Sequence, residues 1–119
     1  MFQQYLSAFR DALPLGDSFD LKERLLVIGG RRAVCYFVDG LTDGKLMQWV
    51  IDSLIQIRPQ ELEGICTSQQ FAESHLPFLN IALAGPDCDS AITQLYTGLV
   101  PLIIEDLDKI IILDVRAYP

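Results

Sequence analysis

Residues 28 to 40, reading IGGRRAVCYFVDG, constrain the fold more than any other stretch. The apolar run Leu25-Leu26-Val27-Ile28 meets Gly29-Gly30, and after Arg31-Arg32 a second run, Ala33 to Val38, begins. Two strand-like runs joined by Gly-Gly read as a tight hairpin, because glycine reaches the positive φ angles of the primed turns without steric cost. The second run is apolar at consecutive positions, so both of its faces are expected to be covered, as in a central strand. Asp39-Gly40 then breaks the run and hands the chain to a helix. Arg31-Arg32, the only basic pair, reads as solvated charge at a hairpin tip.

That helix, expected over residues 41 to 58, has the clearest amphipathic pattern. Leu46, Met47, Val50, Ile51, Leu54 and Ile55 form its inner stripe, with Trp49 at the margin. Thr42 or Asp43 caps its start and Pro59 limits its end. Ahead of the hairpin, Phe2, Tyr5, Leu6 and Phe9 share one face of a helix that Pro14 and Gly16 stop. Residues 61 to 64 suggest a helical turn, and Thr67 or Ser68 caps a short helix reaching His75. A strand is expected over residues 78 to 84. A helix follows, capped by Asp87 or Asp89, with Ala91, Ile92, Leu95 and Tyr96 inward and Gly98 at its C-terminus. Residues 99 to 105 and 110 to 115 form a second hairpin, in which Pro101 belongs where no ladder donor is needed. The order helix, hairpin, helix, small helix, strand, helix, hairpin implies an α/β (α+β) domain. We expect a mixed sheet of about five strands, with three to four helices packed against it.

A chain of 119 residues forms one domain, 1–119, and buries about two-thirds of its unfolded surface. Its net charge of −7 opposes a phosphate backbone, so no nucleic-acid partner is expected. Three cysteines without Cys-x-x-Cys spacing, and a single histidine, argue against a disulfide framework or a zinc site. Cys35 inside an apolar strand reads as a small buried hydrophobe in a reducing compartment. No run approaches the roughly 18 apolar residues of a membrane span, so a soluble chain is expected.

Neither a P-loop nor a Gly-x-Gly-x-x-Gly fingerprint is present, and DGLTDG lacks the alternating oxygen ligands of a calcium loop. No catalytic residue, cofactor or metal ligand follows from the residues. Asp39 and Gly40, at the end of a central strand, and Asp114 and Arg116, at the end of the last, are the candidates for ligand or partner contact. Asp114 and Arg116 read equally as a surface pair or an edge-blocking device.

Two stretches taken together resemble the GerA family of spore germination proteins. IGGRRAVCYFVDGLTDGKLMQWVIDSLI is similar to that family's opening signature, a Gly-Lys/Arg pair before an apolar strand that ends in Asp-Gly and leads into a helix. TGLVPLIIEDLDKIIILDVRAYP is similar to a second signature, Gly-x-x-x-Leu-Leu-Ile, a polar turn, and a strand ending in Arg near an aromatic residue and proline. The resemblance runs from Ser18 to Pro119, with residues 59 to 77 as a spacer. It implies the first soluble subdomain of a larger membrane protein, either the A subunit of a nutrient germinant receptor or the similar SpoVAF protein. Such a protein resides in the inner spore membrane and senses a nutrient germinant or assembles a receptor complex. The implied partners are other receptor subunits, the rest of its own chain and a small nutrient germinant, with the membrane reached only through the C-terminal region. The family offers no catalytic residues and no cofactor. The alternative is a free-standing cytosolic α/β enzyme or small-ligand module, which requires Asp39 to converge with Asp114 and Arg116 in a pocket.

Overall fold

The computed structural model describes residues 2–16, 20–77, 79–85 and 88–117. Four α-helices and five strands follow one another as α1 (Phe2–Ala12), β1 (Leu21–Ile28), β2 (Arg31–Val38), α2 (Gly44–Ile55), α3 (Ser68–His75), β3 (Ile81–Ala84), α4 (Cys88–Leu95), β4 (Val100–Ile104) and β5 (Ile110–Leu113), with a 3-10 turn at Pro59–Leu62 between α2 and α3. The strands form one sheet in the order β1-β2-β4-β5-β3.

All the pairings are antiparallel, which corrects the expected mixed sheet. Helices between strands suggest parallel crossovers. Here the connection after β2 passes β4 and β5 to reach β3, and the one after β3 passes β5 to reach β4, so like-directed strands are never neighbours. The architecture is α+β, with helices on both faces. Ala33, Cys35, Leu102, Ile104, Ile111 and Leu113 point to one face, where Met47, Val50, Ile51 and Leu54 of α2 and Phe71 of α3 cover them. Val34, Tyr36, Ile103, Ile110 and Ile112 point to the other, under Phe9 of α1 and Ala91 and Leu95 of α4. Consecutive burial in β2, β4 and β5 is the product of this two-sided cover.

Gly29 and Gly30 have φ of 56° and 80°, and Ile28 pairs with Arg31 across them, so the predicted two-residue primed turn is present. Its arginines do more than carry solvated charge. Arg32 forks onto Glu105 at 2.7 and 3.0 Å, and Arg31 donates to the Ile65 carbonyl oxygen at 3.3 Å, which ties the hairpin tip to β4 and to the spacer. Asp43 caps α2 by accepting from the Lys45 and Leu46 N–H groups, and Thr67 caps α3 in a capping box with Gln70.

Other boundaries are tighter than expected. α2 ends at Ile55 rather than at residue 58, leaving Ile55 50% exposed instead of in the inner stripe. Tyr96 lies past the end of α4 and is 55% exposed rather than inward-facing. Asp89 lies in the first turn of α4 rather than ahead of it, while Asp87, the other expected cap, is outside the described residues. β3 begins at Ile81, not at residue 78, which is also outside them. The β2 ladder on β4 stops at Cys35 opposite Leu102, one residue short of Pro101, which has no N–H to offer it.

Candidate functional site

Because β2 and β5 run in the same direction two positions apart, both deliver their C-terminal ends to one end of the sheet. The starts of β3 and β4 meet them there. After Val38 the chain turns at Asp39-Gly40. The Asp39 N–H donates to the Asp20 carbonyl oxygen at 2.6 Å, and Gly40 takes a φ of 94° that favours glycine. Residues 41 to 43 then pair with the chain leaving β5. The Asp43 N–H donates to the Val115 carbonyl oxygen at 2.7 Å, Thr42 bridges Arg116, and the Ala117 N–H donates to the Leu41 carbonyl oxygen at 2.9 Å. The two segments named from the sequence, around Gly40 and around Arg116, are thus joined.

Asp114 is fixed by its N–H, which donates to the Asn80 carbonyl oxygen at 3.1 Å. Its carboxylate accepts both arms of the Arg116 guanidinium, Nε to Oδ1 at 3.0 Å and Nη2 to Oδ2 at 3.0 Å. The pair is bidentate, a geometry that restricts the guanidinium to one plane. The stem of Arg116 lies over Gly98. A Cβ built there would stand 3.1 Å from Arg116 Cγ and 3.3 Å from the Leu41 Cβ, and Gly98 has a φ of 99°. Gly98 therefore serves twice, ending α4 and admitting Arg116.

Asp114 and Arg116 form one wall of a cavity of about 230 Å³, whose other walls are Asn80, Ile81, Ala82, Leu99 and Ile112. Asp39 is exposed on the same end of the sheet but does not line it. The arrangement offers a prepositioned cation–anion pair beside an apolar wall, suited to contact and binding. Asn80, Gly98 and Leu99 escaped the sequence reading. Only the Gly98 signal was legible, and it was absorbed by its role at the helix end.

A larger cavity, of about 440 Å³, lies at the opposite end among Phe2, Arg32, Cys66, Glu105 and Asp108. Its charges are already engaged: Glu105 holds Arg32, and Asp108 accepts from the Ser68 N–H at 2.9 Å. Those donors hold both carboxyls below their ordinary range, Glu105 through Arg32 and Asp108 through Ser68. Burial pushes the Cys35 thiol up to about 12, so it stays protonated and acts as packing. The His75 ring lies tilted against Phe71, with centroids 5.2 Å apart, away from the candidate residues. Among the described residues no group of His, Cys, Asp and Glu could hold a metal ion, and no helix is long and apolar enough to cross a membrane.

Comparison with known proteins identifies the family and the fold. The family model described as Bacillus/Clostridium GerA spore germination protein matches residues 10–119. Stage V sporulation protein AF of Bacillus subtilis (strain 168) is 27% identical over 117 residues, an alignment covering 93% of this chain and 22% of that protein. The chain thus spans 22% of the length of its curated relative. The crystal structure of the N-terminal domain of the A subunit of the Bacillus megaterium spore germinant receptor GerK3 has the same fold. The TM-score is 0.67 at 15% identity, covering 100% of this chain and 95% of that one. With nearly the whole sequence matched by the family model, and an α+β architecture shared from end to end, the chain belongs to the GerA family of spore germination proteins.

Proposed function

We propose that the chain is the soluble N-terminal domain of a larger membrane protein of the inner spore membrane. In this reading it serves nutrient germinant sensing or the assembly of a receptor complex and catalyses no reaction. The family match over residues 10–119 carries this reading, and the relative's much greater length supports a continuation beyond this domain. The sheet end bearing Asp39, Gly40, Asp114 and Arg116 is the contact face for the rest of the protein, for other receptor subunits or for a small germinant. The observation that favours this face is that the bidentate Asp114–Arg116 pair stands there beside an apolar wall, held by the bonds that join Leu41 and Asp43 to the segment after β5. A free-standing small-ligand module fits less well, since the cavity beside Asp114 and Arg116 omits Asp39.

The test is to tag the gene product at its N-terminus in the organism that encodes it and to fractionate spores. Recovery of a product far larger than 13.3 kDa from the inner membrane, together with other germination proteins, is the expected result. A tagged product near 13.3 kDa in the soluble fraction would overturn it.

A further inference from the structure

β1 is an edge strand, and its two halves differ. Lys22, Glu23 and Arg24 supply the charge that normally protects an open edge, while Leu25, Leu26, Val27 and Ile28 carry none. Leu25 and Val27, at alternate positions and so on one face, are 59% and 62% exposed. No other large hydrophobic among the described residues is as exposed. α1 lies over β2 and β4 on that face and leaves them uncovered, although its Arg10 reaches across to Glu23 at 2.9 Å.

The hydrogen-bond parity of β1 follows from the turn. Ile28 and Arg31 close the two-residue loop, so even-numbered residues of β1 bond to β2; the Asp39 N–H on the Asp20 carbonyl oxygen confirms the parity one step beyond the strand. The N–H and C=O groups of Glu23, Leu25 and Val27 therefore point into the open edge. A water-facing edge tolerates this, but it is also a template for a further strand.

Charge identifies what that strand is. The chain is strongly acidic overall, yet five of its nine basic residues, Arg10, Lys22, Arg24, Arg31 and Arg32, sit on this hairpin or on the flank of α1 beside it. Arg10 and Arg32 are matched by Glu23 and Glu105, whereas Lys22 and Arg24 form no ion pair among the described residues. Lys22 and Arg24 share the face opposite to Leu25 and Val27. We infer that the open edge of β1 accepts an extended acidic segment of another polypeptide as a sixth, antiparallel strand. Branched apolar residues of that segment face Leu25 and Val27, and carboxylates face Arg24 and Lys22. The main chain supplies affinity, and the alternating apolar and acidic side chains fix register and direction.

The probe is the peptide Thr-Val-Thr-Val-Glu-Thr-Glu, blocked at both ends and titrated into the isotopically labelled 119-residue chain. The expected result is saturable amide shifts concentrated in β1, with slowed exchange of the Glu23, Leu25 and Val27 amides. Binding should weaken with salt and fall at least tenfold for Val27→Lys and for the peptide with lysine in place of both glutamates. Because Val27 is exposed, the variant should keep the parent spectrum elsewhere. Four results would overturn the inference: no shifts at millimolar peptide, shifts outside β1, equal binding by Val27→Lys, or an equal response to the lysine peptide. So would concentration-dependent β1 shifts without peptide, which assign the edge to a second copy. β1 broadening by phosphatidylglycerol vesicles without any peptide effect would assign it to a lipid surface.

Discussion

Gly98→Ala probes the candidate site through the one position where backbone and packing make the same demand. At a φ of 99° an L-residue is strained, a cost of about 1–3 kcal/mol. The added methyl would also sit 3.1 Å from Arg116 Cγ, inside the roughly 3.5–4.0 Å of a relaxed carbon contact. The Arg116 stem can swing aside, but only by giving up its fork on Asp114, a partly exposed pair worth at most about 1 kcal/mol. The sum is about 1–4 kcal/mol against a typical domain stability of about 5–15 kcal/mol. Urea unfolding at 25 °C should show this loss as a lower midpoint with an unchanged slope. In an Arg116→Ala background the same glycine substitution should cost less by up to about 1 kcal/mol, because the contact with Arg116 is gone while the backbone strain and the contact with Leu41 persist. Gly44→Ala, where an added Cβ meets nothing within 4 Å and φ is not positive, should be neutral or slightly stabilising. A loss below about 0.5 kcal/mol for Gly98→Ala, or an identical loss in the Arg116→Ala background, would refute the reasoning.

Other outcomes follow from the same structure. Val34→Asp and Ile111→Asp, at positions with no exposed surface, should each abolish cooperative folding, since an unpaired buried carboxylate costs several kcal/mol; soluble, two-state variants at both sites would defeat the core assignment. Phe9→Ala removes a ring stacked at 4.5 Å on Tyr36 and should cost about 3–5 kcal/mol in chemical denaturation. Arg10 first, and then the Tyr36 hydroxyl, hold the Glu23 carboxyl below its ordinary range. The stability this confers is present above the unfolded carboxylate range near pH 4.5 and is lost as pH falls through the lower folded value; Glu23→Gln should flatten melting-temperature profiles in that acid window and nowhere else. Asp43→Ala deprives the Lys45 and Leu46 N–H groups of their acceptor and should cost about 1 kcal/mol, measurable as a lower urea midpoint.

Much of this fold was legible because its signals are local. The Gly-Gly turn, the caps at Asp43 and Thr67 and the stripes of α1 and α2 depend on neighbours within a few residues, and the structure shows each of them. Strand order is non-local. Nothing in β4 itself announces that it inserts between β2 and β5, and that insertion is what makes the sheet antiparallel throughout. Exposure of Tyr96 was misread because helical periodicity continues in the sequence past the end of α4, and that of Ile55 because α2 stops at that residue instead of running on to residue 58. At the candidate site, the sequence suggested that Asp114 and Arg116 could pair, two residues apart. Their union with the Asp39-Gly40 turn, through the bridge from Thr42 to Arg116, depends on two strand ends 70 and more residues apart in sequence arriving together. The uncovered half of β1 was invisible for a related reason: LLVI looks like any core strand until the sheet's order makes it an edge.

The central claim, that this domain serves spore germination, is tested most directly by placing Val34→Asp in the chromosomal gene. The nutrient response of the resulting spores would then be followed as loss of optical density, against a parent with matched sporulation yield. The account predicts normal spore formation with a slowed or absent response to at least one nutrient, reversed by a wild-type copy. Spores that respond to every tested nutrient at the parental rate while the variant domain is shown to be unfolded or lost would contradict it.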